Sequence, residues 1–161
     1  MRFLSALLLL FAAAGMACAD TLAGVVIVVI DGDTVLFKPE HYSASSRAFL
    51  KVRLADIDAP EKEQPYGDAA TRALQELALK QRAELDIVAT DVYGRKVGRL
   101  TVGSLAVNAE LVRRGYAWSS SRDPEAATRL LQGEASRARI GLWADAGPTP
   151  PWVWRHSTKQ K

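Results

Sequence analysis

Cysteine is almost absent from this chain, which has one, Cys18, among 161 residues. A single cysteine excludes an internal disulfide, so the hydrophobic core alone must stabilise the fold, even in an oxidising compartment. Histidine is also scarce, with only His41 and His156. The sequence therefore has no Cys and His cluster of the kind that binds zinc. Both histidines lie in polar surroundings, and we interpret them as ordinary surface residues.

A strong charge of one sign is also lacking, because 21 Lys and Arg stand against 18 Asp and Glu. Attraction to a polyanion must then come from a local arrangement, in which particular arginines matter more than the overall charge. The chain contains neither a glycine-rich phosphate loop with its lysine nor a Gly-x-Ser-x-Gly elbow. The sequence thus gives no sign of a P-loop enzyme or of a serine hydrolase of the elbow type.

Long apolar runs are missing except at residues 3–14, which follow Arg2 and are interrupted only by Ser5. This run is shorter than the roughly 18 to 20 residues that span a bilayer. With Ala17 and Ala19 behind it, the pattern is typical of a signal peptide of residues 1–19, cleaved after Ala19. We expect an exported protein, periplasmic or secreted, with no stable membrane span. The alternative is a lipoprotein attached through Cys18, and the mass of the mature amino terminus separates the two.

Residues 20–146 have the pattern of one domain, followed by a basic tail, 147–161, that contains prolines and tryptophans and is predicted to be irregular. The apolar run at 22–30 predicts a strand buried on both faces. The predicted elements are strands at 22–30, 34–37 and 48–57, a helix at 67–80, strands at 84–88 and 97–102, a helix at 108–114 capped by Asn108, and a helix from Asp123-Pro124 to Gly141 whose apolar face carries Ala127, Leu130, Leu131, Ala135 and Ala138. This order predicts an α+β fold, a five-stranded OB-fold Greek-key β-barrel with about three α-helices.

Three polar clusters carry the candidate chemistry. The first is Asp31-Gly32-Asp33-Thr34, the second runs from Arg53 to Glu61, and the third is Asp91-Val92-Tyr93-Gly94-Arg95. Each alone is compatible with a solvated turn or an edge strand. Together they supply carboxylates for a hard cation and guanidinium groups suited to phosphate oxygens. Arg53 and Asp58 are five residues apart and point to opposite faces of an ideal strand, so a bend near Asp58 is required to bring them together.

These clusters, in this order, resemble the motifs of the staphylococcal nuclease (thermonuclease-like) family: Asp-Gly-Asp-Thr, Arg-Leu-x-x-Ile-Asp-x-Pro-Glu and Asp-x-Tyr-Gly-Arg. The resemblance extends from about Ala23 to Trp143. It implies that Asp33, Asp58 and the Ala59 carbonyl bind Ca²⁺. Asp31 and Thr34 would contact these ligands without binding the ion themselves. It also implies a catalytic group of Arg53, Glu61 and Arg95, in which Glu61 orients or deprotonates water and the arginines grip the phosphate.

The resemblance further implies DNA and RNA as substrates, a monomer, and products with 3′-phosphate and 5′-hydroxyl ends. Tyr93 and Trp118 are the candidate contacts to the nucleotide. The loop Trp118-Ser119-Ser120-Ser121-Arg122-Asp123 lacks the tyrosines that well-studied relatives carry there. Trp118 could offer a stacking surface to a base in their place, but we favour a buried tryptophan that covers the core. The rival function is an OB-fold module that binds nucleic acid or protein without cutting, and the complete set of Asp33, Arg53, Asp58, Glu61 and Arg95 favours the enzyme.

Overall fold

The computed structural model of the protein describes residues 20–120 and 126–158. The predicted signal peptide with Cys18 lies outside these residues, and so does the Asp123-Pro124 start predicted for the last helix. The strands are β1 Asp20–Asp31, β2 Thr34–Pro39, β3 Leu50–Leu54, β4 Ile57–Asp58, β5 Arg82–Thr90, β6 Lys96–Val102, β7 Leu105–Ala106 and β8 Trp118–Ser119. The helices are α1 Gly67–Ala78, α2 Val107–Arg113, α3 Ala126–Arg137 and α4 Pro151–Thr158, with a 3-10 helix at Gly141–Ala144.

Five strands close into a barrel. β1 pairs antiparallel with both β2 and β5, while β2 pairs with β3 and β5 pairs with β6. The barrel closes where β3 pairs with β6. These two strands run parallel because four antiparallel pairings, through β2, β1 and β5, connect them around the barrel. The α+β OB-type barrel predicted from the order of elements is confirmed.

The first strand differs from its prediction, because it buries one face and not two. Val26 and Val29 are buried in the core, whereas Val28 is 43% exposed. A register shift between Val26 and Val28 interrupts the pairing with β2. Such a bulge adds a residue to one strand and re-aims the side chains beyond it. A continuous apolar run therefore does not reveal which of its residues face solvent.

The helices cover the barrel with narrow apolar faces. Ala70, Leu74 and Leu77 of α1 follow helical spacing and are buried, as predicted. On α3 the predicted face is only partly right. Ala135 is 2% exposed, but Leu130 is 70% exposed and the buried Thr128 takes its place. The helix also ends at Arg137, before the predicted stop at Gly141.

The predicted strand 48–57 is broken in two. β3 ends at Leu54, and Asp56 takes a left-handed conformation with φ of 65°. The chain then resumes as β4, which pairs antiparallel with β8 and leaves the main sheet. The Asp56 carbonyl accepts a hydrogen bond of 2.8 Å from the Ser120 amide, and this bond stabilises the bend next to the pairing of β4 with β8. This turn supplies the change of direction that the sequence required near Asp58.

Asn108 does not cap α2, because the structure places it inside the helix and not before it. Its side chain is buried and instead joins three backbone groups. Oδ1 accepts the Leu100 amide at 2.9 Å, and Nδ2 donates to the carbonyls of Ala55 and Gly98 at 2.9 and 3.2 Å. The side chain therefore connects α2, β6 and the turn that precedes β4.

We expect Asn108→Ala to lower the free energy of unfolding by roughly 3 kcal/mol, because buried backbone groups lose their partners without access to water. Urea denaturation should show a lower midpoint with an unchanged slope. Asn108→Asp is the matched comparison, since it keeps the acceptor and loses both donated bonds. A loss below about 1 kcal/mol for the alanine variant would contradict this role.

The tail is not irregular throughout, since residues 151–158 form the helix α4. Pro150 accepts backbone hydrogen bonds from Val153 and Trp154, both at 3.0 Å, and Pro151 occupies the first helical position, where proline is well tolerated. The described part of the chain thus contains four α-helices, where about three were predicted. None of the helices in residues 20–120 and 126–158 is long and apolar enough to cross a membrane.

Candidate active site

Arg53 joins the first two acidic clusters. The pairing of β2 with β3 sets Arg53 opposite Thr34, beside Asp33. Its Nη1 lies 2.9 Å from Asp33 Oδ1, and its Nη2 donates a hydrogen bond of 2.7 Å to Asp58 Oδ1. Burial lowers the pKa of Arg53, but the two carboxylates outweigh it and hold that pKa above its ordinary value. The expected meeting of Arg53 and Asp58 across a bend is confirmed.

Asp33 is the most enclosed of these carboxylates, with only 3% of its surface exposed. The Thr34 hydroxyl donates to its Oδ1 at 3.1 Å, and the Ala59 amide donates to its Oδ2 at 2.8 Å. Asp31 accepts the backbone amide of Asp33 at 3.1 Å. Burial raises the pKa of Asp33 to about 7, although the charge of Arg53 opposes the shift. Asp31 and Thr34 thus contact Asp33 directly, as a supporting role requires.

Gly32 lets the first cluster approach the second. A Cβ on Gly32 would lie 2.7 Å from the Ala59 Cβ and 2.8 Å from the Ala70 Cβ, closer than carbon atoms pack. Any side chain at Gly32 would therefore push the Asp33 turn away from Ala59 and α1. The distance between Asp33 and the end of β4 depends on this close approach.

Glu61 begins the loop that leads into α1. Its amide donates to Gln64 Oε1 at 3.1 Å, and its carbonyl accepts the Gln64 amide at 3.0 Å. Gly67 packs against the same carbonyl, since a Cβ there would lie 2.0 Å from that oxygen. The Glu61 side chain is 38% exposed, whereas that of Asp58 is 9% exposed. Glu61 is thus the carboxylate of this group that a substrate and its water can reach.

Arg155 of α4 reaches this site, which the sequence did not predict. Its Nη1 lies 2.7 Å from Glu61 Oε1 and 3.1 Å from Asp58 Oδ1, and its Nη2 lies 2.7 Å from Asp58 Oδ2. The sequence signal that points to a helix here is the Pro150-Pro151 pair, with Arg155 one turn later. No local pattern indicates that the helix docks against residues almost a hundred positions earlier.

The third cluster forms the turn between β5 and β6. Asp91 Oδ1 accepts the backbone amides of Tyr93 and Arg95 at 2.9 and 3.0 Å, and Asp91 Oδ2 accepts Arg95 Nε at 2.7 Å. Tyr93 is 82% exposed, and the Arg95 guanidinium lies 5.8 Å from its ring centroid. Arg95 comes directly before Lys96, which pairs with Val52. Val97 is the residue that pairs with Arg53, so this register sets Arg95 two residues before the position opposite Arg53. Among the residues that the structure describes, the Arg95 guanidinium bonds Asp91 and none of the carboxylates around Arg53.

Trp118 lies in the core. It is 4% exposed, and its ring meets that of Trp143 edge-on at a centroid distance of 5.5 Å. A buried ring offers no free face to a nucleobase, so the substrate contact considered for Trp118 is wrong and the favoured core interpretation is confirmed. Tyr93 keeps the exposure that a substrate contact needs. His41 and His156 are both exposed, as expected of surface residues.

The donor set fits a hard cation. Asp33 and Asp58 supply carboxylate oxygens, which Ca²⁺ prefers, and the raised pKa of Asp33 shows that a buried negative charge here is under-compensated. A doubly charged cation would relieve that cost. Within residues 20–120 and 126–158, no three Asp, Glu, His or Cys side chains form a complete cluster for a metal. The Ala59 carbonyl and water would have to complete the coordination, as the resemblance implies.

Comparisons with known proteins identify the relatives of this chain. The family model for staphylococcal nuclease homologues matches residues 51–145. A protein of Escherichia coli O157:H7 described as an uncharacterized endonuclease is 38% identical over 141 residues, covering 86% of this chain and 88% of that protein. The micrococcal nuclease of Shigella flexneri is 32% identical over 148 residues, covering 84% of this chain and 82% of that protein.

The chain therefore belongs to the staphylococcal nuclease family, as the three motifs predicted. Membership and these relatives support a nuclease function, that is, the hydrolysis of ester bonds in nucleic acid. The matched region contains Arg53, Asp58, Glu61 and Arg95, and it ends before α4.

Proposed function

We propose that this protein is an exported, calcium-dependent endonuclease that hydrolyses phosphodiester bonds of DNA and RNA and leaves 3′-phosphate and 5′-hydroxyl ends. The observation that carries the proposal is the Arg53 guanidinium held between Asp33 and Asp58 at 2.9 and 2.7 Å. This geometry unites a phosphate-binding group with cation-binding carboxylates at one point of the barrel.

Asp33, Asp58 and the carbonyl of Ala59 would hold the cation. When bound, it polarises the phosphate and stabilises developing negative charge as a Lewis acid. Asp31 and Thr34 keep Asp33 in place through the contacts described above.

The arginines bind the non-bridging phosphate oxygens. Arg53 is fixed in direction by its two carboxylate partners, and Arg95 is fixed by Asp91. Donors that are already oriented contribute most as charge grows in the transition state, since they need no reorganisation. Both contact the phosphate and not the base edges, which is why the same site accepts DNA and RNA.

Glu61 orients the attacking water and accepts its proton. Its partial exposure gives the water access, and the backbone bonds with Gln64 keep the start of the loop in place. Tyr93 lies exposed beside Arg95 and contacts the nucleotide next to the scissile phosphate.

The experiment that tests this function is incubation of residues 20–161 with DNA and with RNA in Ca²⁺, in Mg²⁺ and in chelator, followed by analysis of the product ends. We expect cleavage of both polymers in Ca²⁺, none in chelator, and fragments with 3′-phosphate ends. Binding of intact DNA without cleavage would favour the alternative, a non-catalytic OB-fold module.

Calcium affinity should be modest, with a dissociation constant in the range of roughly 10⁻⁴ to 10⁻³ M that is typical of extracellular sites. The physical reason is that two carboxylates and one carbonyl leave the remaining positions to water. Calorimetry on the protein without substrate measures it, and Asp68→Asn on the exposed start of α1 serves as a control for nonspecific binding. Submicromolar binding would mean that further ligands exist.

A further inference from the structure

Helix α4 places the positive charge of Arg155 between the carboxylates of Asp58 and Glu61, which follow the bend at Asp56. The Arg155 guanidinium bonds both oxygens of Asp58 and one oxygen of Glu61. Arg155 is 37% exposed at its side chain, so the group lies partly inside the site and not on the open surface. Arginine keeps its charge at every physiological pH.

The segment before α4 is tied to the loop that carries Glu61. Gln64 Nε2 donates to the Thr149 carbonyl at 2.5 Å, and Pro151 is buried. Burial, followed by the negative charge of Asp145 and the hydrogen bond that the Tyr66 hydroxyl donates to that carboxylate, raises the pKa of Tyr66. The loop that carries Glu61 therefore contacts the C-terminal segment at three successive positions, Asp145, Thr149 and Arg155. The docking of α4 thus depends on several contacts and not on one ion pair alone.

The bonds to Arg155 occupy positions that a cation needs. Asp58 Oδ1 accepts both Arg53 at 2.7 Å and Arg155 at 3.1 Å, which uses both of its lone pairs. The other oxygen accepts Arg155 at 2.7 Å. Calcium binds carboxylate oxygens at about 2.3–2.6 Å, so an ion on Asp58 would lie close to the guanidinium. Like charges at such a distance repel strongly in a partly buried site.

We propose that Arg155 and a divalent cation compete for Asp58, so that the C-terminal helix lowers the cation affinity of the site and is released when the cation binds. This inference rests on the proposed cation site at Asp33 and Asp58. It makes Arg155 a residue that sets the calcium dependence of the enzyme, outside the part of the chain that the family model matches.

The test is calorimetric titration of the full chain with Ca²⁺, comparing the wild type with Arg155→Gln. The variant should bind Ca²⁺ about 10-fold more tightly. The ion then no longer has to displace the charge-assisted hydrogen bonds of Arg155 from Asp58, and a hydrogen bond of this strength changes a dissociation constant by about a factor of ten. Arg155→Lys keeps the charge but loses the two-pronged geometry and should lie between them. Arg129→Gln removes an equal charge from the exposed face of α3 and should match the wild type.

Amide hydrogen exchange in residues 151–158 provides a second measurement that does not depend on activity. In the wild type, Ca²⁺ should accelerate exchange there, whereas in Arg155→Gln exchange should already be fast without Ca²⁺. Calcium binding that is equal or weaker in Arg155→Gln would overturn the competition and would indicate that Arg155 positions the carboxylates instead. Calcium binding to none of the variants would overturn the proposed cation site as well, which distinguishes the two failures.

Discussion

Replacing Arg53 or Arg95 by lysine should reduce saturated turnover by about 10² to 10³. Lysine keeps the positive charge but loses the planar pair of donors, so the bonds that strengthen in the transition state are not reproduced. The loss corresponds to roughly 3 to 4 kcal/mol of transition-state stabilisation. Turnover on DNA with substrate in excess measures it, and circular dichroism confirms that the variants are folded.

Arg82→Lys is the matched control for these two variants. Arg82 is also paired with a carboxylate, Glu40, but its side chain is 81% exposed and lies on β5. Such an exposed ion pair contributes little to stability, and Arg82 is not one of the proposed catalytic residues, so turnover of Arg82→Lys should stay near the wild-type value. A surface role for Arg53 and Arg95 would instead produce a binding defect that varies with ionic strength while saturated turnover remains normal. Near wild-type turnover in both lysine variants would show that the active site is assigned wrongly.

Glu61→Gln should lower turnover by about 10² to 10⁴, the range that a positioned general base contributes. Glutamine retains the size of the side chain and can still accept a hydrogen bond, but it cannot take up the proton of the attacking water. Single-turnover cleavage of DNA in saturating Ca²⁺ measures the effect.

Glu63→Gln, two residues further along the same loop and exposed, is the control. It removes the same charge without removing the carboxylate next to Asp58 and Arg155. If Glu61→Gln retains the wild-type rate, water activation belongs to another group. If both variants lose activity equally, the charge of the loop and not the Glu61 carboxylate is responsible.

The site was predictable from the sequence where its geometry is local. The predicted three-stranded meander pairs β2 with β3 across the loop at residues 40–49, and this pairing sets Thr34 opposite Arg53 with Asp33 beside them. The five-residue separation of Arg53 and Asp58 indicated that a bend was needed, and the positive φ of Asp56 provides it. What the sequence could not show is that β4 leaves the main sheet to pair with β8, because that pairing joins residues about 60 positions apart.

Other features depend on tertiary contacts that have no local signature. The apolar spacing of α3 did not identify its buried face, because Thr128 bonds Ser119 across the interface at 2.9 Å while Leu130 stays exposed. The sequence left Trp118 as a base-stacking or a core residue and favoured the core, and its burial against Trp143 decides for the core. The docking of Arg155 depends on a helix whose prolines and short length suggested an irregular tail.

Asp58 contacts both Arg53 and Arg155, and the proposed metal-dependent cleavage depends on its carboxylate. The most direct test of that proposal is single-turnover DNA cleavage by Asp58→Asn across a Ca²⁺ titration, with the exposed Asp68→Asn as control. We expect Asp58→Asn to lose cleavage at Ca²⁺ concentrations that saturate the wild type, whereas Asp68→Asn should keep the wild-type rate and Ca²⁺ midpoint. A wild-type rate and midpoint in Asp58→Asn would contradict the assignment of Asp58 to the active site.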